Sequence, residues 1–220
     1  MSADITLRKG LTIPMSGMAD LNISSADIAD NFVIYPHDFH GVVPKMLLKE
    51  GEAVLQGQPI FYSKANPEIK FVSPVSGTLT TIERGAKRRI MSLSIAADGK
   101  DSAIVHKLGK LDKLEATDVK KYLLESGCWP FIKQRPYDVI ADPNSTPKAI
   151  FISGFSTAPL AADVPFILSL QKGDFQNGIN VLSKLAPKVH LSVDASSVSF
   201  LNEVSNAEVH CFKGPHPAGN

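Results

Sequence analysis

Residues 50–60 read Glu-Gly-Glu-Ala-Val-Leu-Gln-Gly-Gln-Pro-Ile, and residues 73–79 read Ser-Pro-Val-Ser-Gly-Thr-Leu. Both stretches place glycines and prolines between short apolar runs, the pattern of short strands joined by tight turns. Residues 90–95, Ile-Met-Ser-Leu-Ser-Ile, mix apolar and polar side chains with the period of a half-buried strand. We therefore expect residues 36–97 to form a small all-β sandwich or barrel.

The two stretches have the outline of a lipoyl- or biotinyl-type hammerhead, a barrel-sandwich hybrid whose apolar side chains fill a flattened barrel. In carrier proteins that resemble it, a lysine at a hairpin tip between the two stretches is acylated. Here residues 62–70 read Tyr-Ser-Lys-Ala-Asn-Pro-Glu-Ile-Lys, without a Met-Lys-Met or Asp-Lys-Ala context. The sequence favours the fold over the carrier function. A carrier acylated at Lys64 or Lys70, or a free-standing binding module, remains the alternative.

Strands alternate with helices in the second half of the chain. Apolar runs predict strands and 3.6-residue periodicity predicts helices: strands at 149–152, 188–193 and 207–212, helices at 165–170, 175–185 and 198–204. This alternation indicates right-handed crossovers and a mainly parallel sheet. Because parallel sheets are normally covered on both faces, three strands predict an incomplete Rossmann-like α/β domain over 148–220. We expect residues beyond 220 to complete it.

Two other segments flank the predicted barrel, which makes the whole chain a mixed α+β protein. Residues 1–35 are rich in glycine and proline around Gly10, Pro14 and Gly17, which predicts an extended N-terminal segment. Residues 98–147 predict a helical connector, with a helix from Leu111 to Leu124 and Gly127 as its stop. The predicted order is therefore 1–35, 36–97, 98–147 and 148–220.

Composition excludes several classes of protein. The chain has 220 residues, with 23 Lys+Arg against 22 Asp+Glu, so its net charge of +1 argues against general nucleic-acid binding. Two cysteines cannot build a disulfide framework, and neither belongs to a Cys-x-x-Cys pair, which predicts reduced cysteines in a cytosolic protein. No apolar run reaches the ~20 residues that cross a bilayer, and the N-terminus lacks a signal peptide's apolar core.

Cofactor and metal motifs are also missing from the sequence. The turn at residues 153–159 has a single glycine and neither a Gly-x-Gly-x-x-Gly motif nor a P-loop, so we expect no nucleotide or flavin on this chain. His37 and His40 are three residues apart, but Pro36 and Gly41 bracket them and no third ligand lies nearby. We therefore expect neither a metal site nor a catalytic residue.

Four groups of residues are candidates for contact with a partner, because exposed cations and aromatic side chains are common in interfaces. The candidates are the basic tip (Arg84, Lys87, Arg88 and Arg89), the aromatic–basic stretch (Trp129, Phe131, Arg135 and Tyr137), the apolar segment beside a proline (Phe32 and Tyr35), and His216. Each has a plain structural alternative: a solvated hairpin end, buried packing, or an ordinary strand. His216 lies between two prolines and has no evident catalytic partner in the sequence.

An ordered series of motifs resembles the A subunit of the sodium-translocating NADH:quinone oxidoreductase. The motifs include Asn-Pro-Glu-Ile-Lys-Phe at 66–71 and Gly-Pro-His-Pro-Ala-Gly at 214–219. The remaining segments are 9–14 with Gly17, 49–58, Pro74 with Ser76 and Gly77, 84–88, 126–129, 135–136 and 159–163. The hammerhead also resembles that of the C subunit of related electron-transport complexes, but that family carries iron–sulfur cysteine motifs that this sequence lacks.

The resemblance implies a peripheral protein on the cytoplasmic side of a bacterial inner membrane. The complex passes electrons from NADH to quinone and exports Na+, with flavins and iron–sulfur centres in other subunits. The A subunit is associated with the quinone-reducing end, beside the membrane-embedded B subunit. The implied task is to dock on the membrane subunits and help shape the quinone site without carrying a redox centre. Family members run further past the Pro-His-Pro segment, which we expect to complete the second domain.

Overall fold

The computed structural model describes residues 4–17, 19–27, 29–107 and 109–218. Its contacts divide the chain into two units, one of Ala26–Ser145 and one of Met1–Ser25 with Thr146–Asn220. We call the first the barrel unit and the second the α/β unit. This division differs from the four segments expected from the sequence, because the N-terminal segment is shared between the two units.

The described residues form the following strands and helices. The strands are β1 (Asp4–Thr6), β2 (Asn31–Ile34), β3 (Pro44–Met46), β4 (Ala53–Val54), β5 (Pro59–Ser63), β6 (Lys70–Val72), β7 (Gly77–Arg84), β8 (Ile90–Ala97), β9 (Lys133–Gln134), β10 (Val139–Ile140), β11 (Ile150–Ser153), β12 (Val189–Asp194) and β13 (Glu208–Lys213). The α-helices are α1 (Ala116–Glu125), α2 (Val164–Ile167) and α3 (Lys172–Leu182).

The barrel unit is built from antiparallel strands. One sheet has the order β2-β8-β7-β4, a second has the order β3-β5-β6, and β9 pairs with β10. The core is made by fully buried apolar side chains of the central strands: Ile60, Phe61, Leu79, Leu93 and Ile95. The ring of Phe61 stacks on that of Phe71 at 4.5 Å. Strand β2 belongs to this core sheet rather than to an extended segment.

Helix α1 follows the barrel strands and ends where the sequence predicts. Its first turn has a capping box between Glu115 and Asp118, which satisfies backbone N–H groups that have no partner inside the helix. Gly127 then adopts a φ of +73°, the left-handed conformation that commonly ends helices. A Cβ at Gly127 would lie 2.7 Å from both Val72 methyl groups of β6, so the absence of a side chain also allows close packing.

The α/β unit contains a four-stranded parallel sheet with the order β1-β13-β12-β11. One face packs against the helical side of the unit, through a core of Leu191, Val193 and Leu201 with Phe175 beside it. The three strands predicted from the sequence are present, and β1 adds a fourth at the edge beside β13. The predicted parallel α/β arrangement is therefore confirmed.

The predicted helices differ in detail from the observed ones. The helix predicted at 111–124 is a 3-10 turn at Leu111–Lys113 followed by α1, and the one at 175–185 is α3. The prediction of a helix at 198–204 was wrong, because residues Phe200–Glu203 form a single 3-10 turn capped by Ser199. In the part of the chain that the structure describes, none of the helices has both the length and the apolar composition needed to cross a membrane.

Candidate functional site

The basic tip (Arg84, Lys87, Arg88 and Arg89) forms the hairpin end between β7 and β8. A 3-10 turn at Ala86–Arg88 reverses the chain, with Lys87 and Arg88 both at positive φ, and Gly85 N–H donates to the Arg89 carbonyl at 2.8 Å. All four cationic side chains are exposed, and none makes an ion pair with another described residue. The tip therefore concentrates positive charge at one end of the barrel unit, which attracts anionic groups.

An open groove of about 700 Å³ adjoins the basic tip through Arg84. Apolar and charged side chains both line it. The lining residues are Met46, Leu47, Leu48, Lys49, Glu50, Ile82 and Arg84. Glu50 is fixed there because one of its carboxylate oxygens accepts a hydrogen bond from the Ile82 N–H at 2.6 Å. Apolar side chains next to exposed cations suit a protein partner that presents an apolar side chain next to a carboxylate.

The aromatic–basic stretch is divided between core and surface. Trp129 is only 5% exposed, and its indole Nε1–H donates to the Ala141 carbonyl at 2.8 Å. This burial and hydrogen bond make Trp129 a packing residue of the barrel unit. Trp129 therefore offers almost no surface to a partner.

The other members of the stretch are exposed. Phe131 and Tyr137 are each 75% exposed, and Arg135 lies in the turn between β9 and β10. The Phe131 ring touches that of Phe39 edge to face at 6.2 Å, which holds it in place while most of its surface remains open to solvent. Exposed aromatic rings and arginines of this kind are common in interfaces.

Phe32 and Tyr35 lie on and just after β2. Phe32 is half-buried and pairs with Ile95 of β8, whereas Tyr35 is exposed and its ring approaches that of His37 at 5.4 Å. The segment is thus an ordinary strand, as the alternative interpretation expected, with Tyr35 as its exposed end. Phe32 contributes mainly to the sheet.

His216 is held by hydrogen bonds within the α/β unit. Its Nδ1 lies 3.1 Å from Thr157 Oγ1, and its carbonyl accepts the Leu11 N–H at 2.9 Å. Thr157 Oγ1 also accepts the Ala218 N–H at 2.9 Å. A Cβ at Gly10 would overlap the His216 carbonyl oxygen, so glycine is required at this contact. The Pro-His-Pro segment therefore fastens residues 9–11 to the end of the unit.

Lys64, considered above as an acylation site, is exposed in the hairpin between β5 and β6. Its backbone N–H donates to the Val43 carbonyl at 2.8 Å. The other residues considered from the sequence, His37 and His40, are both exposed, and His37 Nε2 lies 3.7 Å from Asp38 Oδ1.

Neighbouring strands bring together three residues that the sequence analysis did not single out. His190 on β12 is the register partner of Glu208 on β13, and His210 lies two residues further along β13. His190 Nδ1 is 2.9 Å from His210 Nε2 and 3.8 Å from Glu208 Oε2. These are the kinds of atoms that bind a metal ion, and all three lie within 4.8 Å of one another. Their separation along the chain hid the cluster, although both strands were predicted and side chains alternate along a strand.

Comparison with known proteins identifies both units. The family model described as the NqrA N-terminal barrel-sandwich hybrid domain matches residues 5–98. The model described as the NqrA second alpha/beta domain matches residues 114–220. The two descriptions, in this order, confirm the fold class predicted from the sequence.

The similar proteins share one description, the A subunit of the Na(+)-translocating NADH-quinone reductase. The relative from Tolumonas auensis is 38% identical over 219 residues, which is 98% of this chain and 49% of the relative. The relative from Haemophilus influenzae (strain PittGG) is 36% identical with the same coverage. The relative from Neisseria gonorrhoeae is 36% identical over 218 residues, again 98% of this chain and 49% of the relative. The chain thus spans about half the length of the curated relatives it matches.

Proposed function

The chain belongs to the NqrA family, and on this basis we propose that it serves as one of the subunits of a Na+-translocating NADH-quinone reductase. The observation that carries the proposal is the match of both units to successive NqrA domains, together with 38% identity over 98% of the chain to a protein of that description. In such a complex NADH is oxidised, quinone is reduced and Na+ is moved across the membrane.

We further propose that the chain acts by docking rather than by transferring electrons. It would lie on the cytoplasmic side of the bacterial inner membrane, against the membrane subunits and above all the B subunit. There it would help to shape the quinone-reduction site. The sequence supports this assignment, since the turn at 153–159 lacks a phosphate-binding glycine pattern and the two cysteines lack cluster spacing. Flavins and iron–sulfur centres would belong to the other subunits.

The basic tip and its groove are the surface that we propose for the contact with a membrane-embedded partner. Four exposed cations beside a groove lined by both apolar and charged side chains complement a protein loop that carries a carboxylate and an apolar side chain. The exposed aromatic residues Phe131 and Tyr137, with Arg135, form a second proposed contact. Tyr35 offers a third exposed aromatic ring, and quinone would reach the shared surface only in the assembled complex.

Capture of the complex through a tag on this protein tests the proposed function. A tagged form of the whole protein is expressed in a bacterium that carries the reductase and is captured from gently solubilised membranes. The eluate is assayed for NADH:quinone reductase activity that Na+ stimulates. We expect this activity to elute with the tagged protein. The proposal fails if active complex is present in the membranes and none follows a tag that an antibody can reach.

A charge-reversal pair tests the docking surface. Arg84→Glu with Arg88→Glu reverses two charges of the basic tip, and we expect the captured activity to fall by at least about tenfold, since like charges facing each other cost several kcal/mol. Lys110→Glu with Lys121→Glu makes the same change of net charge elsewhere on the barrel unit, at exposed positions. Equal losses with the two pairs, or no loss with the first, would remove the basic tip from the interface while leaving membership of the complex intact.

A further inference from the structure

We propose that His190, Glu208 and His210 form a binding site for one Zn2+ ion on the sheet of the α/β unit. This site is independent of the docking function proposed above. Its origin is the register of two parallel strands, which places Glu208 opposite His190 and Ser192 opposite His210. Because side chains two residues apart share one face of a sheet, Glu208 and His210 project on the same side of β13. His190 meets them from β12.

The distances are close to those of a metal site, and an ion would replace the hydrogen bond that joins the His190 and His210 rings in the metal-free chain. Zn2+ binds histidine nitrogen and carboxylate oxygen at about 2.0–2.2 Å with tetrahedral geometry, so two of its ligand atoms lie about 3.3 Å apart. The observed separations from His190 Nδ1 are 2.9 Å to His210 Nε2 and 3.8 Å to Glu208 Oε2. These values lie on either side of the tetrahedral separation. Small side-chain rotations about the staggered bonds would bring all three atoms onto one ion.

The donor set selects the ion. Two imidazole nitrogens and one carboxylate oxygen suit Zn2+, whereas Mg2+ and Ca2+ prefer oxygen ligands alone. Three protein ligands with a fourth position open to water is the arrangement of zinc sites bound by two histidines and one glutamate. The side chains are 15% exposed for His190 and 35% for Glu208, so an ion can reach the site from solvent.

Neighbouring groups hold the ligands in place. The Phe151 ring stacks on the His190 ring at 4.9 Å and 19°, which restricts the rotation of that imidazole. Among the contacts of Glu208, Oε1 lies 3.8 Å from Lys188 Nζ and Oε2 lies 3.8 Å from His190 Nδ1. These contacts are the second layer of interactions that fixes metal ligands.

Zn2+ titration of the untagged, metal-stripped chain tests the site. The chain is taken in a Cys128→Ser background, because Cys128 is an exposed thiol and thiolates are themselves zinc ligands. Competition with a chromophoric chelator gives stoichiometry and affinity, and we expect one ion per chain. Histidine ring NMR in the same sample locates the ion, and we expect the signals of His190 and His210 to shift while those of His40 stay.

Variants separate the site from adventitious binding. His210→Gln and Glu208→Gln each remove a ligand, and we expect each to weaken Zn2+ binding by more than about 100-fold, since even a change behind a ligand costs about 10–100-fold. His40→Gln removes an exposed histidine of the barrel unit and should leave the affinity unchanged. The proposal is overturned if the His210 variant binds like the parent, or if the ring signals of His190 and His210 do not respond in the parent chain. The ring signals decide the question even if a variant fails to fold.

Discussion

Substitution of Gly127 by alanine should destabilise the barrel unit through two separable effects. The residue has a φ of +73°, and a side chain in the left-handed region costs about 1–2 kcal/mol. The added Cβ would also lie 2.7 Å from the two Val72 methyl groups, and overpacking of this kind costs about 1–3 kcal/mol. We therefore expect the free energy of unfolding to fall by about 2–5 kcal/mol.

The chain has a built-in reporter for this measurement. Trp129 is its single tryptophan, is 5% exposed, and lies in the barrel unit two residues after the substitution. Urea unfolding followed by its fluorescence therefore reports the barrel unit alone, even if the two units unfold at different concentrations. Far-UV circular dichroism on the same samples follows the backbone of both units, and coincidence of the two transitions tests whether the chain unfolds in one step.

Two further variants separate the backbone effect from the overlap. Gly51 has a φ of +86° and open space around its missing Cβ, so Gly51→Ala should show only the backbone cost. Val72→Ala removes the methyl groups that the new Cβ meets. We expect the double variant with Gly127→Ala to recover about 1–3 kcal/mol as a coupling free energy. The reasoning is refuted if Gly127→Ala costs no more than Gly51→Ala, or if the coupling free energy is zero.

Two further predictions concern titratable groups of the two units. The hydrogen bond from Ser76 Oγ to Asp98 Oδ1, 2.6 Å long, is the main reason that the pKa of Asp98 lies below 3.8, so Ser76→Ala should raise that pKa in a carboxyl NMR titration. A lowered pKa contributes stability that is present above pH 3.8 and is lost as the pH falls through the pKa of the folded state. The variant should therefore lose less stability than the parent over that acid range. An unchanged Asp98 pKa would contradict the assignment of the lowered value to the Ser76 hydrogen bond. Burial raises the pKa of the Cys211 thiol, so we expect iodoacetamide near neutral pH to modify exposed Cys128 first, as followed by peptide mass spectrometry. Faster labelling of Cys211 would disprove the effect.

Local signals account for most of the barrel unit. Glycine turns near residues 50–60 and 73–79 predicted its strands correctly, because the period of two and the turn residues are both visible over short stretches. Strand β1 was not predicted, since three residues give no periodicity and its partner β13 lies near the other end of the chain. The 3-10 turn at Phe200–Glu203 was mistaken for an α-helix, because a serine cap followed by four such residues also resembles the first turn of an α-helix.

The candidate surfaces were only partly predictable. The basic tip was found because its cations are close together in sequence and lie in a hairpin turn, where side chains are exposed. The sequence could not assign Trp129 to the core or to an interface, since tryptophan is common in both. Its hydrogen bond to the Ala141 carbonyl decides in favour of the core. The His190 cluster depends on the register of two strands, and a shift of one residue would separate its members.

The pairing of β1 with β13 affects the order in which the chain becomes structured during translation. The barrel unit occupies one continuous stretch, so it leaves the ribosome complete and folds as a unit. Strand β1 is synthesised before the barrel unit and remains unpaired, because its hydrogen-bonding partner β13 is synthesised much later. Such distant pairing slows folding, since a long loop must close before any contact forms. On a ribosome stalled before residue 208, nascent chains would therefore carry a finished barrel and a first strand with nothing yet to pair with.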